Sequence, residues 1–598
     1  MYKSILSLLL LACQITISQT HNSYQISFKN AVHHEATIQA EFTNLENKVL
    51  ELRMSRTSPG RYALHEFAKN VYAVKAVDSK GNRLPVTRPN PYQWNVSGHD
   101  GTVKIQYTLF ANRGGGTYSQ IDETHAHLNI PATFMFARRY TQRPIQVTFN
   151  VRNDLHWKIA TQLKPLGNNT YYAPNLDYFM DSPVEISNFS KRSFTVNSNN
   201  KEYTINFVLH HRGTEEELNQ YVEKVKKIVY QEMAVYGELP DYDYGAYTFL
   251  GCYMPNASGD GMEHRNSTVL TSTHSLLYGG MEGNIGTVSH EYFHSWNVER
   301  IRPKTLEPFN YEAVNMSGAL WFAEGFTSYY TKLILCRAQI ISPQKYVEGL
   351  AGTLNYVWNS PARNYFNPIE MSYQAPFVDA ARSVDPVNRE NTFISYYSYG
   401  SVLGLALDLS LRNLDDNKNL DGFMKLVWQT YGKTEIAYTI RDLEALLTEY
   451  AGTAFSHHFF SNYIYKSNMP DYSALFASVG IAFEQSNIDK VSIGVKLNDK
   501  FWVSSNPFQG SAAYKAGLEN RDEILTINDI QVSSATNQAL FLSQFKPGQT
   551  VKVVFKRFGV QKETQLTFDA DVSYVARLVE KVSKKVADKK RAWLGIRK

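Results

Sequence analysis

Three cysteines in 598 residues leave little room for thiol chemistry. Cys13 sits in the apolar N-terminal stretch. Cys252 and Cys336, the two that remain if a leader is removed, could form one bridge, but nothing in the sequence requires it, and thiolate metal ligands are not indicated. Beyond the N-terminus there is no long apolar run of the kind that spans a bilayer. A net charge of +5 on so long a chain is too small to argue for nucleic acid. Long repeats and low-complexity tracts are also missing. What is abundant is aromatic: 13% of residues, with 39 Tyr, a composition that suits β-rich structure or aromatic-lined clefts. The length exceeds what one core supports and suggests roughly three or four domains.

Lys3 followed by the apolar run Ile5 to Ala12 and then small polar residues reads as a secretory leader over residues 1–18. Cleavage near Ser18 predicts an exported protein of the periplasm or cell envelope. The segment Leu10-Leu11-Ala12-Cys13 resembles a lipobox and gives a second reading, a lipid anchor at Cys13. Residues 19–213 alternate apolar and polar positions between Gly- and Asn-containing turns, as in Thr102-Val103-Lys104-Ile105-Gln106-Tyr107, and predict an N-terminal antiparallel β domain. From Thr214 to about 470 the spacing turns helical, with helices expected over 215–235, 284–300, 317–337, 398–413 and 440–450. Residues 471–490 read as a lead-in linker, 491–572 as short strands and turns, and 573–598 as a basic tail, helical and solvated or packed.

Chemistry concentrates in His290-Glu291-Tyr292-Phe293-His294. Two histidines four apart on a helix face the same side one turn apart and can bind one ion. The intervening glutamate then lies beside the metal, positioned to take a proton from water. A catalytic zinc site needs a third protein ligand and an open position. Glu324, in the aromatic-rich segment Leu320-Trp321-Phe322-Ala323-Glu324-Gly325-Phe326, is the candidate. The expected cofactor is a single Zn2+, and the expected partner is a peptide or protein substrate. His125 and His127 are two apart and face one side of a strand. With no third ligand evident, packing is the better reading for them, and likewise for His210, His211, His457 and His458.

The stretch Ser289 to Val298 followed by Arg300-Ile301-Arg302-Pro303, together with Glu324-Gly325-Phe326-Thr327-Ser328-Tyr329-Tyr330, resembles the M61 glycyl aminopeptidase family, and more distantly the M1 aminopeptidases. The resemblance covers most of the chain, including Thr124-His125-Ala126-His127-Leu128-Asn129. It implies a multidomain α+β protein: the N-terminal β domain, a thermolysin-like and mostly helical catalytic domain, and a C-terminal PDZ-like domain. It also implies roles. Gly261-Met262-Glu263-His264 is similar to the strand that lines the family's cleft, whose Glu binds the substrate's free α-amine; Gly261, Met262 and Glu263 are therefore substrate-binding candidates. Asp260 stands where many relatives have Gly. Ser395-Tyr396-Tyr397-Ser398-Tyr399-Gly400 resembles a Tyr-x-Lys-Gly motif whose Tyr donates its phenol proton to the tetrahedral intermediate. Tyr397 matches that Tyr, Tyr396 is the alternative, and Tyr399 departs from the pattern at the Lys position.

Gln509-Gly510-Ser511-Ala512-Ala513 through Gly517-Leu518, then Asp522 to Asp529, resembles bacterial PDZ domains, with Arg521 where a Gly is expected. Such a module binds a peptide end by strand addition or only packs on its neighbour. The expected activity is removal of N-terminal residues, with small ones such as Gly or Ala favoured by the resemblance. The rivals are a zinc endopeptidase with the same metal site and a non-catalytic, PDZ-type peptide-binding protein.

Overall fold

Strand Asn22–Asn30 buries Tyr24, Ile26 and Phe28 on one face and exposes the residues between, the period-2 pattern of a half-covered sheet. In the computed structural model, which describes residues 20–378, 387–414 and 418–596, this strand sits inside an eight-stranded sheet. It pairs parallel with Ile145–Asn150 and antiparallel with Glu35–Phe42. Two four-stranded sheets complete an N-terminal β domain around a core of its own. One of them runs in the order Lys158–Thr161, Val184–Ser187, His125–Leu128, Gln120–Ile121. The leader over 1–18 and the anchor at Cys13 lie outside the described residues.

The next two strands, Ser190–Ser198 and Lys201–His211, leave that domain. Expected as its last strands up to residue 213, they open a further, five-stranded sheet, ordered Ser190–Ser198, Lys201–His211, Ala246–Tyr253, Ser267–Ser272, Asp260–His264. Alternation identifies a strand but not the sheet it joins. Lys201–His211 and Ala246–Tyr253 are parallel, so the chain needs a crossover, and helix Glu215–Tyr236 supplies it. Thr214 and Glu217 close a capping box at its start, and Gly237, at φ 86°, ends it in the left-handed conformation. Asp260–His264 is an edge strand, antiparallel to Ser267–Ser272.

The helices behind this sheet follow the predicted spacing closely: Ile285–Phe293, Leu320–Ala323 continuing as Gly325–Arg337, Tyr396–Leu411 and Ile440–Ala451. The first stops seven residues short of the expectation of 300, because the chain beyond His294 turns back as Asn297 engages the next helix. Helices Gly325–Arg337 and Tyr396–Leu411 cross at two glycines. A Cβ on Gly400 would lie 1.8 Å from the Trp321 carbonyl oxygen, and one on Gly325 would lie 2.3 Å from the Gly400 Cα. Only glycine permits this approach, and it sets Tyr397 beside the Glu324 helix.

Residues 471–490, expected as a linker, carry helix Tyr472–Ala477 and strand Ile481–Glu484, which pack into the core of the helical domain. The strand pairs with Val575–Leu578 from the tail. The tail ends in helix Lys584–Leu594, whose Trp593 is fully buried and donates from Nε1 to the Tyr329 hydroxyl at 2.9 Å. Between these two segments lies a small β unit with a separate core that includes Phe501, Ile524, Val553 and Phe568. The protein is thus a mixed α+β chain of several units, a β-sheet domain followed by a helical one. Among the described residues no helix is long and apolar enough to cross a membrane. Cys252 and Cys336 are both buried and free.

Candidate active site

Helix Ile285–Phe293 buries Ile285, Val288, Tyr292 and Phe293 and turns His290 and His294 toward the Glu324 segment. The two Nε2 atoms are 3.2 Å apart. Glu324 Oε2 lies 3.2 Å from His294 Nε2 and 3.7 Å from His290 Nε2. Metal bonds of about 2.0–2.1 Å in a tetrahedron put ligand atoms roughly 3.3 Å apart. The three atoms therefore fit one ion. The far side of each ligand is held by protein. His290 Nδ1 meets Thr331 Oγ1 at 3.1 Å, and His294 Nδ1 donates to the Asn297 carbonyl at 2.5 Å. Such bonds fix the tautomer and leave Nε2 as the lone pair that faces the ion. Glu324 Oε2 is buried and has no hydrogen-bond partner, which a metal ion would relieve.

Asn297 explains why a Trp-Asn pair follows the second histidine. Its side-chain amide donates to the Phe322 and Ala323 carbonyls and to Thr327 Oγ1, at 3.2, 3.0 and 3.1 Å. One residue thereby orients His294 through its carbonyl and ties down the segment that carries Glu324. Trp296 stacks on Tyr236 in the core, with ring centroids 4.9 Å apart.

Glu263 and Glu291 converge on the same place. One carboxylate oxygen of each lies within 4.8 Å of a His294 nitrogen and of the other. Burial raises the pKa of both carboxyls. Burial also opposes charge on His294, but Glu324, Glu263 and Glu291 outweigh it and push the pKa up to about 10. His294 and His290 in turn overcome the burial of Glu324 and hold its carboxyl well below the usual range. Gly261 is a contact that only glycine allows: a Cβ there would be 2.1 Å from Glu291 Oε1. Met262 is fully buried, and Gly116 packs so closely on it that a Cβ there would lie 2.6 Å from the Met262 Cβ. Tyr397 is half-buried, its ring centroid 5.8 Å from that of His290, whereas Tyr396 is buried and meets Tyr62 edge-on at 6.1 Å.

Three site residues came from a part of the chain with no motif. The N-terminal domain sends Gly60, Arg61 and Tyr62 into the cleft. Tyr62 donates its hydroxyl to Glu324 Oε1 at 2.7 Å. Arg61 Nη2 binds Asp260 Oδ1 at 2.6 Å and the Gly261 carbonyl at 2.8 Å. Burial works against the Arg61 charge, but Asp260, Tyr397, Glu263 and Glu291 outweigh it. Gly60 covers Glu263: a Cβ there would lie 2.9 and 3.0 Å from the two carboxylate oxygens. A cavity of about 800 Å³ opens beside the cluster, lined by Arg61, Tyr62, Asp260, Tyr396 and Tyr397. Asp260, the departure from the resembled pattern, is thus the partner of Arg61.

This cluster and its frame match a known family. The model of the M61 peptidase N-terminal domain fits residues 23–188, and that of the M61 glycyl aminopeptidase fits residues 283–403. Both the N-terminal domain and the segment that carries the cluster thus match the M61 peptidases. The chain is similar in structure to an aminopeptidase N family protein from Idiomarina loihiensis, with a TM-score of 0.83 and 25% identity over 96% of this chain and 100% of that one. An M1 zinc metallopeptidase from Deinococcus radiodurans matches with a TM-score of 0.43 and 13% identity, over 76% of this chain and 95% of that one. No curated protein shows significant sequence similarity to this chain. The family and the site together make it a metallopeptidase.

Proposed function

We propose that this metallopeptidase is a zinc aminopeptidase that removes N-terminal residues from peptides, using one ion held by His290, His294 and Glu324. The observation that carries the N-terminal preference is charge. Three buried carboxylates, Glu263, Glu291 and Glu324, surround the place of a divalent ion. When all three are ionised they exceed the ion's charge by one, and the α-ammonium of a peptide neutralises that excess in a water-poor cleft where such a pair is strong. The covering of Glu263 by Gly60, and the Arg61–Asp260 pair beside it, support a cleft closed at that end. Closure is what separates an exopeptidase from an endopeptidase with the same metal ligands.

Zinc in this position supplies Lewis-acid chemistry, acidifying water and polarising a carbonyl. The chain's own groups do the rest. Glu291 accepts the proton of the attacking water and passes it to the leaving amine. Tyr397 donates its phenol to the oxygen that gains charge in the transition state. Glu263 holds the ammonium and so sets the register of the first peptide bond. Edge strand Asp260–His264 offers backbone groups along which an extended peptide pairs. The preference for small N-terminal residues belongs to this reading through the family resemblance. So does peptide capture by the PDZ-like C-terminal unit, where Asn528 and Asp529 both adopt positive φ in the turn after strand Glu523–Ile527. Export, from the leader read over 1–18, is part of the same proposal.

The deciding experiment compares hydrolysis of a small peptide with its N-acetylated form. Acetylation should abolish cleavage, and Glu263→Gln should raise KM for the free peptide far more than it lowers kcat. Equal turnover of the two peptides would remove the role given to Glu263 and favour the endopeptidase reading.

A further inference from the structure

Strands His125–Leu128 and Val184–Ser187 are antiparallel neighbours in the N-terminal domain, with His127 opposite Glu185. Strands Lys201–His211 and Ala246–Tyr253 are parallel neighbours in the catalytic sheet, with His210 opposite Cys252. The two pairs face each other where the domains meet, next to the packing of Ala160 and Phe189 on Val208 and Leu250. From sequence, His125 and His127 lacked a third partner. The fold supplies it from the other domain.

We propose that His125, His210 and Cys252, with Glu185 beside His125, form a second metal site, for a divalent transition ion of the zinc class, which clips the N-terminal β domain to the catalytic sheet. Distances carry the argument. Cys252 Sγ is 3.4 Å from His210 Nδ1 and 3.9 Å from His125 Nδ1, and His125 Nδ1 is 3.4 Å from Glu185 Oε1. The N···O separation is longer than a good hydrogen bond, about 2.7–3.2 Å. The two 3.4 Å lengths match the roughly 3.3–3.6 Å edges of a tetrahedron with bonds of about 2.0 Å to N or O and 2.3 Å to S, and the 3.9 Å length exceeds them. All four side chains are buried, the most exposed being His210 at 7%.

The outer contacts point the same way. Gln120 Nε2 donates to the Asn256 carbonyl at 3.0 Å, which fixes the amide and turns its Oε1 toward His125 Nε2, also at 3.0 Å. An acceptor there keeps the ring proton on Nε2 and leaves the Nδ1 lone pair facing the thiol and the carboxylate. Glu185 Oε1 has no hydrogen-bond partner. Its other oxygen lies 3.6 Å from His127 Nδ1, so His127 orients the carboxylate rather than ligating. A mixed N and S donor set suits a borderline ion such as Zn2+ or Co2+, and binding expels the Cys252 thiol proton to solvent. The consequence reaches the cleft, because the clipped domain is the one that delivers Arg61 and Tyr62.

Cobalt tests this without relying on activity. The His290–His294–Glu324 set has no sulfur, so a thiolate-to-cobalt charge-transfer band reports only a cysteine site. Metal-stripped full-length protein titrated with Co2+ should bind two equivalents and develop that band. The band should persist in the His290→Ala/His294→Ala double variant, in Cys336→Ser and in Cys13→Ser, and vanish with one equivalent in Cys252→Ala and His210→Ala. If those last variants fail to fold, the wild-type band and its persistence in the other three still decide. Absence of the band in wild-type protein, or a single equivalent per chain, would overturn the proposal.

Discussion

Tyr62 and Glu324 are 262 positions apart and share a 2.7 Å hydrogen bond from the phenol to Oε1. The bond divides the labour of one carboxylate. Oε1 is held by the N-terminal domain, and Oε2 faces the two histidine nitrogens. Burial and the charge of Glu324 raise the Tyr62 pKa well above its usual value, so the phenol stays a donor at all working pH.

Tyr62→Phe keeps the ring and its edge-on packing against Tyr396 but releases Oε1. Loss of such an outer partner typically costs about 10–100-fold in metal affinity or activity. We expect that loss in a chelator competition assay, with little change in thermal unfolding of the metal-free protein. Unchanged metal affinity would reduce Tyr62 to a packing residue.

Gly261→Ala addresses the opposite wall. The added methyl would fall 2.1 Å from Glu291 Oε1, and a buried carboxylate on a packed helix has nowhere to retreat except out of alignment. Displacements of about 1 Å cost on the order of a hundredfold in rate. The expected outcome is a kcat lower by roughly that factor or more with full metal content. A variant that binds metal normally and turns over normally would show that Glu291 does not work from this position.

These two residues mark how far the sequence could be read. The metal helix and Glu324 were legible because ligand spacing is local and helical periodicity places it on one face. Gly261, Glu263 and Tyr397 were reached only through resemblance to a family pattern. Tyr62 and Arg61 were invisible, since the segment Thr57-Ser58-Pro59-Gly60-Arg61-Tyr62 carries no motif and its role exists only once two domains meet. The same limit moved the domain boundary. Strands Ser190–Ser198 and Lys201–His211 alternate like those before them, and only sheet pairing assigns them to the catalytic unit. His125 lacked a visible partner for that reason too.

Glu291 gives a prediction in pH. Its pKa in the folded protein is raised well above the ordinary value, chiefly by burial, with Glu263 and Glu324 adding to the shift against His294 and Arg61. The folded state then holds this proton more tightly than the unfolded chain does. Below the ordinary carboxylate range, near 4, both states are protonated and nothing is lost. As pH rises through that range toward the raised folded value, folding stability falls. Gln has no proton to lose. Metal-free Glu291→Gln should therefore unfold together with metal-free wild-type protein in acid, and be more stable at neutral pH and above by a Tm difference on the order of a few degrees. Loading the metal should shrink or reverse the gap, because a divalent cation beside Glu291 favours the ionised carboxylate that Gln cannot offer. A gap that ignores both pH and metal would trace to packing alone, and the charge assigned to Glu291 in the mechanism would lose its support.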